Sequence, residues 1–276
     1  MAVVAHPRAA EAPRGSSPRS RVVSLLDADP DLGTELTPGR FALARTHLLV
    51  RCVTLPRGEW HGADKATLGG THVGLLILDG VIAREVILED TVSTELLGAG
   101  DVIRPWASHG APALLQQQLR WQVLARAQVA VLGRNFAAAV QAFPEVNAAV
   151  TDRLCARAER LATSQAISQL NSVERRLVAL FWHLAERWGR MTPDGVVVPL
   201  TLSHRLIGEL VGARRPTVST ALRGLERQGR LIRRADATWV IAGEPSGAPA
   251  GSTQRLIPHR RRLLAPEPEL AGAEAH

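Results

Sequence analysis

Residues 203–228 constrain this chain more than any other segment, because they fit two short helices joined by one tight turn. Ser203 supplies an N-cap, Ile207 and Val211 the inward positions of a first helix, and Gly208 a point of close approach for a second. Gly212 stands where the turn demands a positive φ. The second helix opens at Arg214 or Arg215, with Pro216 in its first turn, where a missing N–H costs nothing. Its inward face is Val218, Ala221, Leu222 and Leu225, spaced i, i+3, i+4, i+7. Counted from His204, a small residue in fifth place, a glycine in ninth and an apolar residue in fifteenth together match a helix-turn-helix.

The opposite face of the second helix carries Arg215, Ser219, Thr220 and Arg223, with Arg227 a turn further on. Arginine can bond guanine with two N–H groups, and hydroxyls reach bases or phosphates. Between Leu200 and Gly243 there are eight arginines against Glu209, Glu226 and Asp236, so the overall net charge of +7 is concentrated here. Residues 231–234 and 238–241, joined through Ala235, Asp236 and Ala237, predict the two strands of a wing. The residues expected at double-stranded DNA are Ser203, His204, Arg214, Arg215, Pro216, Thr217, Ser219, Thr220, Arg223, Arg227 and Arg233. The plainer alternative is a helical hairpin with a solvated basic face. A related one is a winged-helix protein-interaction module that does not read DNA sequence.

The rest of the chain divides by period. Over 48–132, short apolar runs alternate with turn signals, as in an all-β unit of rolled or barrel-like form. Asp79-Gly80, between Leu75-Leu76-Ile77-Leu78 and Val81-Ile82, predicts a tight hairpin. Further strands are expected at 48–55, 91–97, 119–124 and 128–132, with loops at 61–64 and 98–101. Past Arg134, Phe136, Val140, Phe143, Val146, Val150, Leu154 and Leu161 form one apolar stripe on a long helix interrupted or kinked near Pro144. Such a stripe packs either on the β unit or on a second copy of itself. The second reading makes the protein a homodimer through Val146, Val150, Leu154 and Leu161. Asn171-Ser172 then caps a helix faced by Val173, Leu177, Leu180, Phe181, Leu184 and Trp188, ending at Gly189, and 196–200 is a short strand.

The run from Ile207 to Ser219, followed by Leu225-Glu226-Arg227-Gln228-Gly229, resembles the Crp/Fnr family of transcription regulators, and the order of parts matches over residues 22–243. The resemblance implies an α+β chain. A jelly-roll-like, cyclic-nucleotide-binding-like β-roll sensor would span 21–135, a dimerisation helix 136–170 and a winged helix-turn-helix 171–243, between disordered arms at 1–20 and 244–276. It implies a regulator in the cytoplasm, bound as a homodimer to an inverted-repeat operator, with RNA polymerase and a small-molecule effector as further partners. In the family's DNA-reading stretch, Arg215, Thr217 and Val218 keep three characteristic places, while Pro216 replaces an acidic residue and Thr220 stands where many members carry arginine. The family's usual operator sequence therefore does not carry over.

The sensor departs further. Family members that bind cyclic nucleotides place Gly-Glu after a Gly-Asp turn and an Arg-Ser/Thr-Ala downstream. Here Gly100-Asp101 leads to Arg104-Pro105-Trp106, and the later segment is Gln117-Gln118-Leu119. Without that arginine the cyclic phosphate lacks its charge partner, so no response to cyclic AMP is expected. Arg104 and Trp106 are candidates for a different effector, one for an anionic group and one for a ring; the plain reading packs Trp106 in the roll or against the central helix. No cofactor is expected. Cys52 and Cys155 are too few for an iron–sulfur cluster, and no axial haem ligand stands out. His47, His61, His72 and His109 lack the close spacing of a metal site. Asp64 near His61, and Ser108-His109, have no nucleophile turn or third partner; neither a P-loop nor Gly-x-Gly-x-x-Gly is present, so enzymatic chemistry is not expected. No stretch approaches the roughly 20 apolar residues of a membrane helix, and Met1–Ala10 offers no secretory signal.

Overall fold

The computed structural model describes residues 20–61, 73–106 and 114–244. The expected arms, except Ser20 and Glu244, the loop at 61–64 beyond His61, and His72, Ser108 and His109 lie outside the described residues.

Among the described residues, seven strands form one antiparallel sheet: β1 (Ser20–Ser24), β2 (Leu49–Leu55), β3 (Gly58–Trp60), β4 (Gly74–Leu88), β5 (Thr91–Gly98), β6 (Val102–Ile103) and β7 (Gln118–Leu132). The order is β1-β2-β7-β4-β5, with β3 on β7 and β6 on β4. The expected strands at 119–124 and 128–132 are one strand, β7, because its partner β4 runs beside it almost unbroken.

The hairpin expected at Asp79-Gly80 is not there. Gly80 lies inside β4 with φ of +93°, at a point where the pairing to β7 shifts register between Ile77 and Asp79 and again by Val81 and Ile82. A Cβ on Gly80 would stand 2.5 Å from the Ala127 Cα, so glycine serves a bulge and a close strand approach rather than a turn. The bulge moves the side-chain alternation by one residue. Leu75 and Ile77 before it, and Ile82 after it, join Trp121 and Val123 in the inner cluster, while Val81 and Ala83 turn outward. The true turn is Glu89-Asp90, between the paired Leu88 and Thr91, and Glu89 takes the positive φ of 53°. Two apolar faces explain why β4 reads as a continuous apolar run.

The outer face is covered twice. At one end sit α1 (Leu25–Ala28), a 3₁₀ turn at Pro30–Gly33, α2 (Pro38–His47), α3 (Arg134–Ala139), a second 3₁₀ turn at Val140–Ala142 and α4 (Pro144–Ser168). The expected long helix is therefore broken at Phe143, whose φ of −129° is not helical, and Pro144 starts α4 rather than kinking it. Val146 and Val150 are buried with Phe136, Phe143 and Leu32 in the chain's own N-terminal core. They are thus unavailable to a second copy, because burying each is worth about 1.5–3 kcal/mol within the fold. Leu154 and Leu161 remain exposed at 44% and 39%.

At the other end lies the C-terminal domain: α5 (Val173–Trp188), β8 (Arg190–Thr192), β9 (Gly195–Val198), α6 (His204–Val211), α7 (Arg215–Arg227), β10 (Leu231–Arg233) and β11 (Trp239–Ile241), with its strands in the order β10-β11-β9-β8. The Ser172 hydroxyl caps α5 by accepting from the Arg175 N–H, and Gly189 closes the helix. Phe181 and Trp239 meet at 5.0 Å between ring centroids in a core that also takes in Ile207, Val218 and Leu225. Val81, Ala83 and Leu96 of the large sheet belong to that same core. Cys52 on β2 is buried and Cys155 on α4 is exposed; both are free thiols. Among the described residues no helix is long and apolar enough to cross a membrane, and no three His, Cys, Asp or Glu cluster as metal ligands would.

Candidate nucleic-acid interface

Helix α6 is capped by the Ser203 hydroxyl, which accepts from the Leu206 N–H, and it buries Leu206, Ile207, Gly208 and Val211. A Cβ on Gly208 would lie 2.4 Å from the Ala213 carbonyl oxygen, so the turn closes only over glycine. Gly212 ends the helix at φ 64°, ψ 44°, the left-handed region where side chains are strained. Arg214 then takes the extended N-cap geometry of α7, Pro216 lies in the first turn, and Val218, Ala221, Leu222 and Leu225 are buried. Every inward position read from the sequence is inward in the structure.

The outward face matches with one qualification. Arg214, Arg215, Pro216, Thr217, Thr220, Arg223 and Arg227 are exposed. Ser219 is half-buried and occupied: its hydroxyl donates to the Arg215 carbonyl at 3.0 Å and lies 2.9 Å from His204 Nδ1. With its one proton spent, Ser219 must accept from a protonated Nδ1. Ser219 and His204 thus join α6 to α7 rather than standing ready for bases. His204 also packs beside Trp239, with 6.4 Å between centroids.

Burial, and after it the charges of Arg233 and Arg215, hold the His204 imidazole below its ordinary value. A lowered folded value means that stability is present above the unfolded value of about 6.5 and is lost as pH falls through the folded one. Between pH 7 and 5 the protein should therefore lose melting temperature faster than its His204→Gln variant. Parallel melting profiles would contradict this reading.

The wing stands beside α7. Arg233 lies over Trp239 at 5.7 Å, and the Asp236 carboxylate holds the wing turn by accepting from the N–H and hydroxyl of Thr238. Between α7 and the wing runs a groove of about 490 Å³ whose lining includes His204, Arg223, Arg233 and Arg234. Arg234 was not singled out from the sequence; its place next to Arg233 in the wing was the available signal. Three arginines against one acid, Glu226, in a groove beside an exposed helix suit a phosphate backbone.

The effector candidates do not share this clarity. Arg104 is exposed and donates its Nε to the Val73 carbonyl at 2.7 Å, while Trp106 packs against the inner cluster of the roll, the plainer of the two readings.

Residues 175–242 match the family model described as the Crp-like helix-turn-helix domain. Among solved structures, the chain resembles a cyclic nucleotide-binding domain containing protein from Listeria monocytogenes EGD-e, with a TM-score of 0.57 at 15% identity over 77% of this chain and 96% of that one. It likewise resembles a CooA mutant from Carboxydothermus hydrogenoformans, with a TM-score of 0.55 at 19% identity over 78% and 90% of the two chains. FixK2 from Bradyrhizobium japonicum gives a TM-score of 0.54 at 17% identity over 75% and 95%. No relative is found among curated protein sequences. Residues 175–242 therefore carry a Crp-like helix-turn-helix domain, on a chain that shares the fold of these three solved structures.

Proposed function

We propose that this protein is a transcription regulator of the Crp/Fnr type that reads double-stranded DNA sequence through α7 and works as a homodimer. The observation that carries the reading is the exposed face of α7, with Arg215, Thr220, Arg223 and Arg227, set beside wing arginines on a Crp-like domain. That match disfavours a winged helix that only binds protein. Arg215 and Arg223 are assigned to base edges, and Arg227, Arg233 and Arg234 to phosphates. Selection from a random-duplex pool should enrich an inverted repeat, and failure to enrich any sequence would overturn the proposal.

The dimer seam is assigned to the exposed stripe of α4. Leu154, Ala158, Leu161 and Gln165 are all exposed and follow each other at four, three and four residues, the spacing of a coiled-coil face.

The effector is not cyclic AMP. Besides the missing arginine and acid, Trp121, Val123 and Leu55 occupy the interior of the roll, and Trp60 meets Trp121 edge-on at 5.9 Å. Titration calorimetry with cyclic AMP should show no saturable heat at micromolar concentration. Micromolar binding accompanied by a rise in DNA affinity would contradict it.

A further inference from the structure

The turn after β5 carries a buried carboxylate on which three parts of the molecule converge. Asp101 is 1% exposed. Its Oδ2 accepts from the Gly98 N–H at 2.8 Å, which closes the turn. Its Oδ1 accepts from Arg160 of α4 at 2.5 Å, and its Oδ2 pairs with Arg187 of α5 at 2.7 Å. Arg187 donates again to the Ala99 carbonyl at 2.9 Å. Burial draws the Arg187 guanidinium down from its usual value, and the Asp101 charge opposes that shift.

The contacts around it run the same way. The Trp188 ring lies so close to Gly98 that a Cβ there would stand 3.0 Å from Trp188 Cζ2. Thr94 of β5 donates to Glu209 of α6 at 3.0 Å. Arg157 of α4 makes a two-pronged pair with Glu95 of β5, at 2.7 and 2.8 Å. The winged domain is thus docked through α5 and one side of α6. The exposed face of α7 is clear of the docked surface.

We propose that Asp101 is a positioning residue for DNA recognition: by tying the roll, the α4 helix and the winged domain through one carboxylate, it fixes the reading head relative to the dimer seam. This rests on the DNA-reading proposal above. A dimer engages its second half-site at an effective concentration set by how firmly the two heads are held. Loosening the heads therefore weakens binding to the full inverted repeat and leaves each half-site contact as it was.

The test uses the full chain, a duplex selected by the wild type from a random pool, and that duplex cut down to one half-site. Asp101→Asn with Arg187→Met removes the two buried charges together, and Arg160, which loses the carboxylate, is one-third exposed and keeps access to water. Thr94→Val is a milder second variant, which deletes only the β5–α6 bond. Arg40→Gln, which breaks the Arg40–Glu145 pair far from the junction, controls for general destabilisation. The double variant should lose at least tenfold in full-site affinity with half-site affinity unchanged. Thr94→Val should lose less, in the same direction, and Arg40→Gln nothing. Without DNA, amides of α5 and α6 should exchange faster with deuterium in the double variant than in the control.

If the double variant is too unstable to measure, Arg160→Gln, which removes one Asp101 partner at its solvent-accessible side, decides by the same ratio. An unchanged ratio of full-site to half-site affinity, or a rise in full-site affinity, would overturn the positioning role while leaving the DNA reading intact. A wild type that selects no duplex overturns both.

Discussion

Replacing Leu154 and Leu161 with glutamate should convert the protein to a monomer and lower its affinity for a full inverted repeat by about 10²–10⁴-fold, the usual scale of avidity. Both leucines are exposed, at 44% and 39%, so the substitutions remove nothing from the core of the single chain. Four glutamates facing one another across a two-fold seam would desolvate like charges, which a coiled coil does not tolerate. Sedimentation equilibrium gives the mass and circular dichroism confirms that the fold persists. The same substitutions at Val146 and Val150 would be uninformative, since those side chains are 0% and 3% exposed inside the N-terminal core and their loss would unfold the domain. A Leu154→Glu, Leu161→Glu protein that stays dimeric would move the interface off α4.

Replacing Arg215 with alanine should cost about 1–3 kcal/mol per half-site, the worth of a bidentate base contact. In a dimer the loss is felt twice, and mobility shifts on a selected duplex would report it. Arg215 lies in the first turn of α7, the end of a recognition helix that contacts base edges. Arg227 sits at the far end of α7 and Arg233 on the wing. Alanine at either should weaken all duplexes alike and flatten the dependence on salt by about one charge.

The helix-turn-helix was readable because each of its determinants is local. Ser203, Gly208, Gly212 and Pro216 act on backbone within a few residues, and the spacing of Val218, Ala221, Leu222 and Leu225 is set by one helix. The same local logic misread Gly80, because a positive φ serves a bulge as well as a turn, and only the pairing of β4 with β7 distinguishes them. It also missed the Glu89-Asp90 turn, which has no glycine to mark it. The apolar stripe around α4 suggests a dimer seam at Val146 and Val150, whereas both are buried in the chain's own N-terminal core; periodicity carries no information on whether the partner is the same chain or another. The Asp101 junction had no sequence signal at all, since Arg160 is 59 residues away.

That α7 reads sequence is tested most directly by comparing wild type and Arg215→Ala on a selected duplex and on a scrambled duplex of equal length, at two salt concentrations. The wild type should prefer the selected duplex, and that preference should shrink at least tenfold in the variant, as the half-site cost of about 1–3 kcal/mol is felt in both halves. Affinity for the scrambled duplex should change little, and both proteins should bind more weakly at higher salt. An Arg215→Ala protein that keeps the wild-type ratio of selected to scrambled affinity would contradict the assignment of α7 as the sequence reader, even if it still bound DNA.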